Sequence, residues 1–318
     1  MQLLRKQWFL LGLTMCVSVG LTATNELEPI AKSTILRQSL VFLTMLAMSL
    51  PLRLGQLWET IREPRAAIVA VFGNLVIVPF LAYILRFFLP EAFGTGLMVA
   101  SVVPCTIASA AVLAQRGGGD PMVAILTTLV TNLLCFLYIP LALTWIFNAS
   151  SQFDDEFWKS AMQLAGLVVL PIMLGQLLSI SGKIARFAER RRNFLAICSQ
   201  IGILCMVLLG AIQTGVRWRT AGAEELSILP LLSVCLAVLV VHLLAMAIVW
   251  NTAKLLGISR PQAIGATLAG SQKTLMVGLQ IAIDMGVSIL PMIAYHIGQL
   301  FVDTVIADYW KKRSNDGE

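Results

Sequence analysis

Apolar stretches of about 20 residues, the length that crosses a hydrocarbon core, follow one another along the whole chain with only short polar joints between them. Their centres fall near Met15, Leu43, Val76, Ser101, Val130, Gly166, Cys205, Leu239, Lys273 and Gln299, which predicts ten membrane-spanning helices. Two of these segments break the pattern. ASVVPCTIASAAVLAQRGGGDP (Ala100 to Pro121) and ATLAGSQKTLMVGLQIAIDMG (Ala266 to Gly286) are poor in large aliphatics and rich in small or polar residues. Each is the fourth span of a five-span unit and is followed by one more. Because five is odd, the second unit, residues 151–318, is expected to enter the membrane upside down relative to the first, residues 1–150. Such inverted repeats place a binding site at mid-depth between two broken helices.

The expected break points have local causes. Pro104 removes a backbone donor and crowds the preceding turn, and Gly270 lowers helix propensity by about 1 kcal/mol relative to Ala. Thr106, Ser109, Ser271, Gln272 and Thr274 offer polar side chains where the ladder fails. At membrane depth freed backbone groups must be satisfied by protein or by water, so paired breaks predict a cavity. A proline kink with Ser and Thr bonding back to their own helix explains either stretch alone, but not two in matching places.

Composition agrees with this reading. The 318 residues are 58% hydrophobic and 13% charged, with a mean hydropathy of +0.84, which predicts an all-α polytopic membrane protein. The segment RKQWFLLGLTMCVSVGLTATNE also has the basic start and small-residue end of a signal peptide. An uncleaved first span is preferred, because the repeat requires an even count. Lys and Arg concentrate on one side, at Arg5, Lys6, Arg53, the Lys183 to Arg192 cluster, Lys254, Arg260 and Lys311 to Arg313, while Asp154 to Glu156 fall on the other. The positive-inside rule then puts both termini in the cytoplasm, with the inner cell membrane as location. Topology accounts for the net charge of +6 without a nucleic-acid partner, and the Lys183 to Arg192 cluster can also meet anionic lipid.

The six cysteines lie in apolar stretches with no C-x-x-C spacing, which fits packing residues better than metal ligands. No hydrolase triad, zinc spacing, phosphate loop or pair of catalytic carboxylates occurs, so no enzyme, no cofactor and no metal site is expected. GGGD at Gly117 to Asp120 is a turn signal.

PCTIASA followed by a Gly-rich turn, then GSQKTLMVG, then LPMIAYHIGQL, resembles the bile acid:sodium symporter superfamily, and within it a divergent branch of bacterial orphan transporters. The resemblance runs over the full chain in span count and spacing, with specific motifs in the fourth, ninth and tenth spans. It implies a core domain of helices 3–5 and 8–10 carrying crossing discontinuous helices 4 and 9, and a panel domain of helices 1–2 and 6–7. It also implies the substrates, amphipathic organic anions moved with sodium by alternating access. Ser109 and Thr128 match the family's ion-site pattern, as do Gly270 and Gln272. Ala110 stands where the family has an asparagine, Ala124 where it has a serine, Leu268 where it has an acid and Lys273 where it has an asparagine.

A hard cation wants oxygen ligands, usually with an anionic one among them. Here an anion is lost and a cation gained, so the Lys273 ammonium is expected to fill the sodium position and donate to Gln272, Ser271, Thr106 and freed carbonyls. A charge at this depth costs at least about 2.5–3.5 kcal/mol and marks function by default. Desolvation also disfavours the ammonium form, so proton coupling, or none, stays open beside sodium. The bland alternative has Lys273 snorkelling to an interface.

His296, Gln299 and Asp303 repeat at intervals of three and four on the tenth span and share a face. Asp303 is the candidate counter-charge for Lys273 or a proton carrier. His242, Asn74 and Asn132 are expected to be packing or interhelical contacts. The expected substrate site is therefore Thr106, Ser109, Ser271, Gln272, Lys273, His296 and Gln299. The leading function is a secondary transporter of a small organic anion. Metalloid efflux of the arsenite type is an alternative, because Cys105 follows Pro104, though the ninth-helix acid is missing. A membrane sensor or scaffold is the reading from another class.

Overall fold

The computed structural model describes residues 2–52, 57–107, 109–146, 155–221 and 228–315. Arg53, Asp154 and the expected boundary between residues 150 and 151 lie outside the described residues. Within them every regular element is helical. In chain order these are α1 (Gln2–Thr22), α2 (Thr24–Ala31), α3 (Thr34–Ser49), α4 (Trp58–Arg62), α5 (Arg65–Phe72), α6 (Val78–Leu85), α7 (Glu91–Val102) and α8 (Ser109–Arg116). They are followed by α9 (Pro121–Ile146), α10 (Asp155–Leu164), α11 (Leu170–Ser179), α12 (Gly182–Arg190) and α13 (Arg192–Ala221). The last four are α14 (Ile228–Leu255), α15 (Arg260–Ser271), α16 (Leu275–Asp284) and α17 (Leu290–Asn315).

Among the described residues six helical runs are long and apolar enough to cross a membrane: Arg65–Phe88, Pro121–Ile146, Phe157–Ser179, Arg192–Arg217, Leu229–Leu255 and Leu290–Arg313. Trp8–Thr22, Thr34–Ser49 and Glu91–Val102 are shorter apolar helices. The stripe Leu229, Leu232, Leu236 and Leu243 on α14 is 45–78% exposed. At three-, four- and seven-residue steps this is one face of a helix, and its apolar exposure suits lipid rather than water.

Two of the long runs contain a π turn, and the sequence explains both. α5 continues into α6 through Gly73–Ile77, and α10 into α11 through Ala165–Val169. In each case a proline follows shortly, Pro79 and Pro171. Proline has no N–H to donate back, and the ladder shifts to an i–5 bond just before it, from Val78 N–H to Gly73 O and from Leu170 N–H to Ala165 O. In the first run this leaves the carbonyls of Asn74 and Leu75 without the usual intrahelical donors.

The chain packs in two neighbourhoods. α1, α3 and α11 gather along or beside α13 and each other, whereas α14, α15 and α17 pack with α5, α8 and α9. Two glycines set the tightest approach in the second neighbourhood. A Cβ on Gly73 would lie 2.4 Å from Val249 Cγ2, and one on Gly270 would lie 3.2 Å from the Ala70 carbonyl oxygen. The sequence placed the second helix break at Gly270. Instead α15 runs through Gly270 to Ser271, and the ladder fails at Gln272, which is extended at φ −77° and ψ 144°. Gly270 is there for the close backbone contact, and that contact brings Asn74 against the true break.

Replacing Gly270 with Val overpacks this contact and should destabilise the protein by about 1–3 kcal/mol, read as a lower thermal midpoint of the purified chain in detergent. An unchanged midpoint would mean that the backbones do not approach as described.

Candidate functional site

The site is built on two interrupted helices. α7 stops at Val102 because Pro104 forces the residue before it out of the α region. Val103 is extended, at φ −72° and ψ 155°, and α8 resumes at Ser109. Among the described residues, several freed groups on this segment have partners. Pro104 O accepts from the Thr274 N–H at 2.9 Å. Thr131 Oγ1 accepts from the Cys105 N–H at 3.2 Å, and Asn132 Nδ2 donates to the Cys105 carbonyl at 2.9 Å. Thr128 Oγ1 donates to the Thr106 carbonyl at 3.2 Å. Thr128, Thr131 and Asn132 lie three and four residues apart on α9, so one helix face serves the whole break. Thr128, expected as an ion ligand, is thus a backbone clamp, and Asn132 is the interhelical contact expected of it.

The second break, Gln272 to Thr274, is held from α17. The Gln299 side-chain amide bonds both backbone groups of Lys273, accepting from its N–H at 2.8 Å and donating to its carbonyl at 2.9 Å. Tyr295 Oη donates to the Ser271 carbonyl at 3.0 Å. Asn74 Nδ2 donates to the carbonyls of Gln272 at 2.8 Å and Ala269 at 3.2 Å. The Ser271 hydroxyl donates back to Thr267 O at 3.0 Å within its own helix, so its hydrogen is already spent. The face of α17 that serves the break is Tyr295, Gln299 and Asp303. His296 is turned one residue aside, its Nδ1 3.1 Å from Gln299 Nε2.

Lys273 is 3% exposed and does not snorkel. Its ammonium donates to Asn74 O at 2.6 Å, Asn74 Oδ1 at 3.1 Å and Val103 O at 2.9 Å. Three hydrogens thus meet three neutral oxygens, two of them carbonyls released by Pro104 and by the π turn before Pro79. Tyr138 Oη takes the neighbouring Leu75 carbonyl. The expected acceptors Gln272, Ser271 and Thr106 are not used. Asp303 is not the counter-charge either, because both of its oxygens are engaged elsewhere. His242 Nε2 lies 2.8 Å from Asp303 Oδ1, and Gln272 Nε2 donates to Oδ2.

Tyr295, Thr131 and Tyr138 carry no signal in the sequence, and His242, expected to be a packing residue, is instead paired with a carboxylate. It sits 61 residues from Asp303 on a different helix, and no local spacing signals that pairing. From this buried centre a polar chain leads outward. Gln272 Oε1 accepts from Ser109 Oγ at 2.9 Å, and Ser109 lies 3.4 Å from Thr106 Oγ1.

Thr106 and Ser109 open onto a cleft of about 870 Å³. Phe9 of α1, Met48 of α3 and Ile203 of α13 wall one side, and Val112 of α8, Ile125 of α9 and Leu300 of α17 the other. His296 reaches this cleft, with Phe9 edge-on to its ring at a centroid distance of 6.1 Å. At the other end the exposed residues Gln115, Glu189, Arg192 and Asn193 form a polar mouth. Of the seven expected substrate residues, Thr106, Ser109 and His296 line this cleft. Ser271, Gln272, Lys273 and Gln299 do not, because they are occupied in holding the breaks together. Lys273 is therefore not the resident charge of this cleft.

Comparison with known proteins gives the chain its place. The SBF-like CPA transporter family matches residues 7–312. A rice protein (Oryza sativa subsp. indica) named "Probable sodium/metabolite cotransporter BASS4, chloroplastic" is 27% identical over 291 residues, 84% of this chain and 67% of that protein. The Arabidopsis thaliana protein of the same name is 27% identical over 251 residues, 71% of this chain and 54% of that one. An uncharacterized protein of Pseudomonas aeruginosa is 26% identical over 239 residues, 71% of this chain and 68% of its own length. With the apolar helices and the family match together, the chain is a multi-pass membrane transporter, not an enzyme, and it belongs to the SBF-like CPA transporter family.

Proposed function

We propose that the chain is a secondary active transporter that moves a small amphipathic organic anion by alternating access across the inner cell membrane. It is read as two inverted five-helix halves, residues 1–150 and 151–318, with both termini in the cytoplasm. Helices 3–5 and 8–10 of the ten form the core, and helices 1–2 and 6–7 form the panel. The observation that carries this reading is the cleft between α1, α3 and α13 on one side and α8, α9 and α17 on the other. It is apolar along its walls and polar at both ends. Its floor meets the first turn of α8, where Ser109 and the helix dipole favour an anionic group, and Arg192 stands at the mouth.

The opposite end of the same interface is closed. Arg37 of α3 donates to Asp284 Oδ1 at the end of α16 at 3.0 Å, and Gln163 of α10 and Gln280 of α16 donate to Oδ2 at 2.8 and 2.7 Å. A cleft open on the basic side and an ion-paired seal on the other suit a cytoplasm-facing state. Alternating access then requires the Arg37 contact to part.

On the coupling ion, the three oxygens around Lys273 support a tethered ammonium where relatives would hold a dissociable cation. Sodium coupling at that position is therefore not part of the proposal. The arsenite-type alternative is weakened by the geometry. Cys105 is fully buried, its sulfur contacting Thr128 Oγ1 at 3.3 Å, and it does not line the cleft. The sensor or scaffold alternative loses ground to a family of transporters.

Two experiments test this. A panel of organic acids screened by thermal stabilisation of the full chain should include binders, and Ser109→Ala or Arg192→Gln should weaken them about 10-fold to 100-fold, the effect of one hydrogen bond to a charged group. No stabilisation by any acid, or none lost in either variant, would contradict the cleft as the site. Separately, Asp284→Asn should favour opening of the sealed end. In a background lacking the exposed Cys198 and Cys235, an Ile283→Cys probe, which faces α13 near Gly210, should react several-fold faster with an impermeant maleimide added from that side. Equal rates with and without Asp284→Asn would show that the seal is elsewhere.

A further inference from the structure

Behind the cleft, a buried histidine–carboxylate pair has no part in holding the substrate. We infer that His242 and Asp303 form a proton-binding site, and that Gln272 transmits its occupancy to Ser109 on the cleft floor. In its coupling to substrate this rests on the transport reading above. The site itself stands on the geometry alone.

His242 Nδ1 lies 3.3 Å from the Ser271 carbonyl. A carbonyl oxygen can only accept, so Nδ1 carries the hydrogen. In a neutral ring Nε2 then presents a lone pair, and it faces Asp303 Oδ1 at 2.8 Å. Two lone pairs do not meet at that distance. One proton therefore lies between them, either on the carboxyl group with a neutral imidazole or on an imidazolium beside a carboxylate. In both arrangements the pair carries no net charge, and the proton belongs to the pair rather than to either residue. Release of that proton to water leaves a neutral imidazole, a carboxylate and one net negative charge at residues that are 1% and 0% exposed. The attraction across the 2.8 Å contact is then replaced by repulsion, so the carboxylate must turn.

Gln272 converts that turn into a signal. Its Nε2 donates to Asp303 Oδ2, and its Oε1 accepts from Ser109 Oγ. The two ends of one amide are rigidly joined, so rotation that follows the carboxylate withdraws the acceptor from Ser109. Conversely, a ligand anion that takes the Ser109 hydroxyl releases Oε1 and frees the amide to move. Proton and ligand thus bias the same amide, and any such coupling is reciprocal.

The other ionisable groups around the pair are few. Tyr295 packs its ring 5.8 Å from the His242 ring and donates to the same Ser271 carbonyl. Cys105 lies in the first break, Lys273 in the second, and His296 is bound to Gln299. On the neighbouring helices, Arg65 of α5, Tyr83 of α6, Glu91 of α7 and Arg260 of α15 lie towards helix ends, Arg116 of α8 is bidentate to Asp308, and Asp284 of α16 is held by Arg37. Lys273 is held by three neutral oxygens and makes no hydrogen bond to the pair.

The test counts protons on the full-length, detergent-purified chain. On titration from about pH 9 to about pH 4, Asp303→Asn should take up one proton fewer than the wild type. The Asn amide can still donate to Nε2 and accept from Gln272, so folding is expected to survive. His242→Gln should lose one proton as well, and keeps the inference testable if either variant unfolds. A tryptophan reporter at Ile107 on the cleft floor, read as the difference from the parent, should change emission over the same pH range and become flat in Asp303→Asn. Unaltered proton counts in both variants, or a reporter that responds equally without Asp303, would overturn the inference. Failure of every organic acid to bind would sink the anion reading and leave this titration standing, so the two failures can be told apart.

Discussion

Hydrocarbon offers no hydrogen bonds, so every backbone group released from a helix at membrane depth must find its partner inside the protein. In this chain Pro104, Pro79 and the irregular Gln272 to Thr274 segment all release such groups in one small volume. Thr128, Thr131 and Asn132 answer the first break, Gln299 and Tyr295 answer the second, and Asn74 bridges to the second from a third helix. Lys273 closes the arrangement by joining the Val103 and Asn74 oxygens. Its hydrogen bonds work against the cost of its burial. Burying a lysine costs at least about 2.5–3.5 kcal/mol, whereas each hydrogen bond to a charged group contributes about 1.5–3 kcal/mol and each unpaired buried acceptor would cost about 1–3 kcal/mol. Three acceptors offset part of that cost.

The residues that hold the breaks are thus distinct from those that line the cleft. They are buried, and most of their donors are spent on freed backbone carbonyls. Thr106, Ser109 and His296 sit where the supported segments reach the cleft. The link between the two layers is Gln272, which touches Ser109 on one side and the His242–Asp303 pair on the other.

Much of this could be read in the chain beforehand, wherever the cause is local. Pro104 interrupts the fourth span for a steric reason that needs no neighbour, and the apolar runs and their order follow from composition and length. Gly73-Asn74 followed by Pro79 is also a local signal of a released carbonyl. The parts that escaped depend on distant pairings. Gly270 looked like a helix breaker because its propensity is poor, yet it is a contact glycine whose reason lies in Ala70. Asp303 looked like the partner of Lys273 because its place on the tenth span puts an acid near mid-depth, while its actual partner His242 lies on another helix. The acceptors of Lys273 are 199 and 170 residues away, and no spacing rule reaches that far.

The most direct measurement is the thermal midpoint of the purified full chain titrated with sodium against potassium at matched ionic strength, for the wild type and for Lys273→Gln. With the lysine ammonium occupying the cation position, the wild type should show the same midpoint in both salts, and Lys273→Gln should be less stable in either. A sodium-specific rise in the wild-type midpoint would contradict the tethered cation and return the site to a dissociable ion.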